Sequence, residues 1–343
     1  RGGQSGMSSD LSQYLVTVVV PTFNGEEHLA ELLDAVLAQE LDGAVDVLVI
    51  DSGSTDKTLD IVRERPSVRL HEIPNSEFGH GKTRNLGVAM SQGEFTAFLT
   101  HDAVPSHPLW LKYLLSPMRS DKRVAAVLGP QRPRVDCFPL LKYEMGAVFG
   151  NQGSIHAITI YSGDLVRGDE EAMRHAAFFS DVNGAIRTDV VRNHVPYRDI
   201  AYAEDQMLGA DLLNAGYWKA YAPRAEVIHS NSLTVREYRK RVFDETLALR
   251  NLGLATREIT LVGAVLRSLK GILGDSLRII RDSDFGVIER LKWLFANPVF
   301  QIVKWRSLHH SMRVDVNDAV TRSRYSLEEA RRASAPSATA KGG

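Results

Sequence analysis

The residues able to do chemistry fall into a few short clusters. Asp102 follows the apolar run 95–100, where a strand would end. A carboxylate there either caps a turn or supplies oxygen to a hard divalent cation such as Mg²⁺ or Mn²⁺. Glu204-Asp205 opens a helical stretch, where a carboxylate stabilises the first turn whatever else it does. Neighbours on a helix point about 100° apart, so the pair does not share one role. Lys82 and Arg84 are cations beside Gly79 and Gly81. The glycines permit close backbone approach around His80, and an arginine fork grips phosphate oxygens through two hydrogen bonds. A solvated surface loop has the same composition. His229 follows Val227-Ile228, and a histidine beside a strand is as often satisfied in place as it is a ligand. Tyr217 and Trp218 offer faces for stacking on a ligand ring, although aromatics at a strand start more often belong to a core.

Positioning these residues requires a parallel sheet. The run 16–20 is apolar, β-branched and closed by Pro21, a strand buried on both faces. Leu29, Leu32, Leu33, Val36 and Leu37 recur at helical spacing within 26–39. Further strands are predicted at 45–50, 68–73 and 95–100. Helices are predicted at 55–65, with Asp56 capping its first turn, and at 83–91. This alternation implies βαβ units with right-handed crossovers, whose ligands bind beyond the carboxyl ends of the strands. Those ends carry polar segments at 22–24, 51–54 and 101–102.

Residues 129–184 are rich in Gly, Pro and Asn and read as loops over the site. A helix over 204–215 is stopped by Gly216. One or two short strands follow within 217–228. From 234 the chain is mainly helical, with breaks expected at Gly253, Gly271, Gly274 and Pro298. The predicted organisation is a tag remnant and flexible N-terminus over 1–12, an α/β domain over 13–235, a helical region over 236–325, and a flexible tail over 326–343.

Five motifs occur in one order: Val-Pro-Thr-Phe-Asn at 20–24, Asp-Ser-Gly-Ser-Thr-Asp at 51–56, Thr-Arg-Asn at 83–85, Thr-His-Asp at 100–102 and Glu-Asp at 204–205. Each is weak alone. Together, across 16–230, they resemble the family-2 inverting glycosyltransferases with the GT-A fold. That fold is an α/β nucleotide-binding domain with a mostly parallel central sheet flanked by helices, here followed by a C-terminal helical region. Phe-Gly-His-Gly-Lys-Thr-Arg-Asn at 78–85 is similar, within that family, to the bacterial rhamnosyltransferases of surface polysaccharide synthesis.

The resemblance implies transfer of a sugar, L-rhamnose from dTDP-L-rhamnose, to a hydroxyl of a growing cell-surface glycan, free or polyprenyl-linked. It implies that Asp102 holds Mg²⁺ or Mn²⁺ at the donor diphosphate, with His229 completing the shell. Thr100 stands where the family usually carries the first carboxylate of Asp-x-Asp. It implies that Asp205 takes the acceptor proton as general base, with Glu204 in support. It places the base and ribose against Pro21, Thr22, Asp51 and Ser52, the last replacing a common second carboxylate. Lys82, Arg84, Asn85 and His101 are the remaining donor contacts. His80, Asn183 and Trp218 are candidate acceptor-side or supporting residues, and 183–187 shapes the acceptor side.

Two neighbouring readings share this fold: a UDP-hexose-dependent family-2 enzyme and a non-catalytic glycan-binding protein. A dinucleotide oxidoreductase is disfavoured, because no Gly-x-Gly-x-x-Gly follows the first strand.

Composition sets outer limits. The chain has 343 residues with 44% hydrophobic and 24% charged, ordinary for a globular protein. A net charge of −1 gives no general attraction to nucleic acid, and none is expected as a partner. Cys137 is the single cysteine, so a disulfide framework and a cysteine zinc site are excluded, and a small buried hydrophobe in a cytoplasmic setting is expected. No signal peptide or membrane span is expected. Residues 261–313 carry nine Lys and Arg against four Asp and Glu, interleaved with Leu, Ile, Trp and Phe. That pattern suits peripheral contact with the inner face of an anionic membrane. It equally suits a helical lid or the interface of a homo-oligomer.

Overall fold

A computed structural model describes residues 14–200, 202–230, 233–251, 258–315, 320 and 324–327. The predicted tag remnant, Gly253 and residues 328–343 lie outside them. Eleven strands are described: β1 (Tyr14–Thr22), β2 (Val45–Asp51), β3 (Val68–Glu72), β4 (Gly93–Leu99), β5 (Val104–Pro105), β6 (Val124–Leu128), β7 (Gln131–Arg132), β8 (Thr159–Ser162), β9 (Asn183–Arg187), β10 (Trp218–Tyr221) and β11 (Val227–Ile228).

Eight of them form one sheet in the order β3-β2-β1-β4-β9-β6-β10-β8. The first four run parallel, as their crossover helices require. β6 and β10 are parallel to each other, while β9 lies antiparallel between β4 and β6. β5, β11 and β7 form a second, three-stranded sheet. Period-2 alternation divides β1 between two cores. Val16, Val18 and Val20 face one with Leu29, Leu33 and Trp110; Val19 faces the other with Ile50, Phe98 and Leu212.

Several sequence expectations are corrected. Residues 129–184 are not mainly loops: they hold β7, β8 and the helices Pro139–Gly150, Gly163–Val166 and Glu170–Ala177. The segment 183–187 forms β9, buried within the sheet. Gly271 and Gly274 do not interrupt the helix Leu261–Arg281. A Cβ at Gly271 would lie 2.2 Å from Oε1 of Gln301, so the glycine serves close helix packing rather than a break. Pro298 lies inside the continuous helix Val287–Ser311. The helix Trp110–Ser120 and β6 carry no sequence expectation, yet they supply the fully buried Trp110 and a central strand.

The last strand ends at Ile228, and the C-terminal helices are Val235–Asn251, Leu261–Arg281 and Val287–Ser311. They join the α/β part through a third core. Phe138 stacks on Phe300 with ring centroids 4.5 Å apart, beside Leu141, Tyr238 and Val242. Ser326 and Leu327 dock on the first of these helices. Lys240 donates to the Ser326 carbonyl at 3.2 Å, and the Leu327 amide donates to Asp244 at 2.7 Å. Among the described residues no helix is long and apolar enough to cross a membrane.

Candidate active site at the carboxyl ends of the strands

β1 and β2 end side by side at Thr22 and Asp51. Asp51 is buried, and its two carboxylate oxygens accept from the Thr22 hydroxyl, the Ser54 hydroxyl and the Gly53 and Ser54 amides. Ser52 is buried too; its hydroxyl and amide both donate to the Thr22 carbonyl at 3.0 Å. These three residues therefore spend their side chains on one another and build the crevice wall, with half-buried Pro21 beside them. Asn24, in the left-handed region at φ 49, accepts from the Thr55 amide and completes the loop-to-loop contact. Asp56 accepts from the amides of Thr58 and Glu26 just ahead of the helix Thr58–Arg63, which starts later than expected and has Lys57 as its N-cap.

Beyond β4 and β11, Asp102 meets His229. Oδ2 of Asp102 lies 3.4 Å from Nε2 of His229, and both side chains are largely buried. Nδ1 of His229 is 3.0 Å from Oε1 of Gln131, whose own amide nitrogen donates to the Ser180 hydroxyl at 3.0 Å. With its nitrogen so committed, Gln131 presents an acceptor to the ring. Nδ1 therefore carries the proton and Nε2 is turned to the carboxylate. Burial pushes the Asp102 carboxyl up, but His229, and behind it His101 and Thr100, hold it well below the usual carboxylate range. A carboxylate oxygen and a ring nitrogen facing each other at this distance make a two-donor set for a divalent cation. The spacing is close to the roughly 3 Å between neighbouring ligands of one octahedral cation. The pair thus fits a metal. Among the described residues no group of three or more His, Cys, Asp or Glu is placed to hold a metal ion.

A second cluster gathers around the helix Glu204–Asn214. Its N-cap, Ala203, is buried and left-handed at φ 60, a conformation that costs an alanine about 1 kcal/mol. The turn it makes delivers Glu204 and Asp205 inward. Arg84 is buried and paired to Asp181, with Glu204 3.5 Å away, and His80 lies 4.0 Å from Glu204. Tyr197 donates to Asp181 at 2.7 Å. The Asp181 amide approaches Oδ2 of Asp205 at 3.4 Å.

Three carboxyl groups share one guanidinium here. Burial raises Asp205 well above the ordinary aspartate value, Glu204 and Asp181 raise it further, and Arg84 only partly offsets them. Burial also pushes Asp181 up, to about 6, against the pull of Arg84. A half-exposed carboxyl of raised affinity for protons is the property a general base needs. Ser180 and Asp181 link the two clusters, since Ser180 holds Gln131 and Asp181 touches Asp205.

Several predicted contacts engage other parts of the protein. Arg84 turns inward to Asp181 and Glu204 instead of presenting a fork to a ligand. Gly81 is tight against protein: a Cβ there would lie 2.0 Å from the Arg198 carbonyl. Asn85 donates to the Tyr197 carbonyl at 2.8 Å and accepts its amide at 3.0 Å, so both ends of its side chain are structural. Asn183 is fully buried and joins Trp110, Pro130 and Ala225. Trp218 starts β10 opposite Val124, the start of β6, at the far end of the sheet, with the Arg123 guanidinium 3.5 Å from its ring centroid. Lys82 is exposed, and His101 packs on Gly25, where a Cβ would lie 2.9 Å from the ring. Gln131, Ser180, Asp181 and Tyr197 were missed. They lie outside every recognisable motif and meet only through the tertiary fold.

Comparison with known proteins identifies the family. The family model described as glycosyl transferase family 2 matches residues 17–194. The O-antigen chain rhamnosyltransferase RfbN of Salmonella typhimurium is 30% identical over 231 residues, 67% of this chain and 70% of that protein. The O-antigen chain rhamnosyltransferase WbaN of Salmonella anatum is 32% identical over 232 residues, 66% of this chain and 70% of that protein. Among solved structures, the mannosyltransferase PcManGT of Pyrobaculum calidifontis, in complex with GDP-Man and Mn²⁺, superposes with a TM-score of 0.51 at 18% identity, covering 94% of this chain and 84% of that one. The chain belongs to glycosyltransferase family 2 and is a glycosyltransferase of GT-A fold.

Proposed function

We propose that the enzyme transfers L-rhamnose from dTDP-L-rhamnose to a hydroxyl of a bacterial surface glycan, with inversion at the anomeric carbon. The observation that carries the reaction type is the carboxyl cluster at Ala203–Asp205. It holds Asp205 ready to accept a proton at the same strand edge as the Asp102–His229 pair. The rhamnosyl choice is supported by the two Salmonella relatives, whose names give that sugar. Asp205 takes the acceptor proton as the hydroxyl attacks, and the donor diphosphate departs. Asp102 and His229 would hold Mg²⁺ or Mn²⁺, whose charge would stabilise the leaving diphosphate. Gln131 keeps His229 in the ligating tautomer, and Glu204 and Asp181 keep Asp205 basic. Arg84 keeps those carboxylates from repelling one another apart.

The test is a donor panel with a lipid-linked or oligosaccharide acceptor, product linkage being read by NMR. Transfer from dTDP-L-rhamnose and not from UDP-hexoses is expected, with inverted anomeric configuration. Asp205→Asn should lower kcat by about 10²–10⁴ and leave donor affinity within about twofold. Preference for a UDP-hexose would overturn the donor, and near-normal turnover by Asp205→Asn would overturn the base.

A further inference from the structure

The helical hairpin Leu261–Arg281 and Val287–Ser311 hides one face and exposes another that is unusually apolar. The two helices meet through Asp275, Asn297 and Gln301: Gln301 donates to Asp275 at 2.6 Å, and Asn297 donates to the Ile272 carbonyl at 3.0 Å. On the first helix Val262, Leu266, Leu269, Leu273, Leu277 and Ile280 are each more than half exposed. On the second, Ile288, Leu291, Phe295 and Ile302 are likewise more than half exposed.

At about 100° per residue, each stripe lies roughly a third of a turn from the line of helix contact. Its sense, followed along the sequence, is the same on both helices. The helices are antiparallel and on opposite sides of that line, so both stripes emerge on the same side of the hairpin. The second helix buries Phe300 in the core on the other side. One apolar ridge of ten exposed side chains results, the kind of surface that marks an interaction site.

The charges say what covers it. Leu261–Arg281 carries Arg267, Lys270, Arg278 and Arg281 against one acid, Asp275, which is buried and bonded to Gln301 and Arg278. Val287–Ser311 carries Arg290, Lys292 and Arg306 against Glu289, while Lys304 is paired with Glu144 of the helix Pro139–Gly150. A second copy docked on this face about a dyad would bring cationic rim to cationic rim. An anionic bilayer surface supplies both missing partners, acyl chains for the ridge and headgroup phosphates for the rim. Neither helix is long and apolar enough to cross the bilayer.

We propose that this hairpin docks the enzyme on an anionic membrane surface. Flotation of the full chain with phosphatidylcholine vesicles, with and without phosphatidylglycerol, tests it, alongside sedimentation velocity for oligomeric state. The chain is expected to float with anionic vesicles only, less so as salt rises, and to sediment as a monomer. Leu269→Glu with Leu273→Glu should abolish flotation. Lys270→Ala with Arg281→Ala should weaken it about thirtyfold, for two cations removed from the rim. All four positions are solvent-exposed, and unchanged circular-dichroism melting checks that the variants fold. No flotation of the wild type on anionic vesicles overturns the proposal, as does flotation unaffected by the two glutamates. A dimer that Leu269→Glu with Leu273→Glu converts to monomer overturns it in favour of a second copy.

Discussion

Gln131 lies 3.0 Å from Nδ1 of His229 and decides which nitrogen of that ring faces Asp102. A glutamine side chain is ambivalent, but the Ser180 hydroxyl accepts from its amide nitrogen and leaves its oxygen for the ring. The consequence is that Nε2 is turned to the Asp102 carboxylate at 3.4 Å, an arrangement that suits a bound cation.

Gln131→Ala is therefore expected to weaken Mn²⁺ affinity by about 10–100-fold, the usual effect of losing the partner of a ligating histidine. Titration calorimetry with Mn²⁺ and donor measures it. Chelation by EDTA should abolish transfer, and added Mn²⁺ should restore it. An unchanged affinity in Gln131→Ala would separate His229 from the metal.

The pH profile follows from Asp205. Burial and the neighbouring Glu204 and Asp181 raise its affinity for a proton, so the basic form appears only as pH rises through the raised value. Activity should fall about tenfold per pH unit on the acid side, with its midpoint above the ordinary aspartate value of about 3.9. Glu204→Gln removes a like charge, favours the carboxylate and should move that limb to lower pH. A limb that stays in place, measured as kcat/KM against pH, would separate Glu204 from the base.

Arg84 distinguishes support from ligand binding. It is buried against Asp181 and Glu204. Arg84→Met would strand two carboxylates and should destabilise the fold by about 3–5 kcal/mol, read by urea denaturation. A residue that only gripped the donor would raise KM with stability intact.

Cys137 is buried, and burial pushes its thiol up to about 11. Little thiolate exists at neutral pH. The folded enzyme should resist iodoacetamide and react only after denaturation, with mass spectrometry as the readout. Rapid native labelling would mean that the Phe138–Phe300 core opens readily.

How much of this was legible in the sequence differs from residue to residue. β1 to β4 announced themselves because parallel strands buried on both faces are nearly continuous apolar runs, and their carboxyl ends named Thr22, Asp51 and Asp102. The ordered motifs carried the family. Local pattern could not decide where long side chains turn. Arg84 looked like a phosphate clamp and became the counter-ion of Asp181, ninety-seven residues away. Asn85 and Asn183, in motifs or beside them, became braces for backbone carbonyls. β9 escaped notice because its antiparallel insertion into the sheet is a long-range pairing with no local signature. Sequence alone thus determined the periodic elements and the strand-end positions of the reactive residues, because burial imposes a period. Only the tertiary structure decided which charges neutralise each other, because pairing depends on contacts between segments that sequence spacing does not bring together.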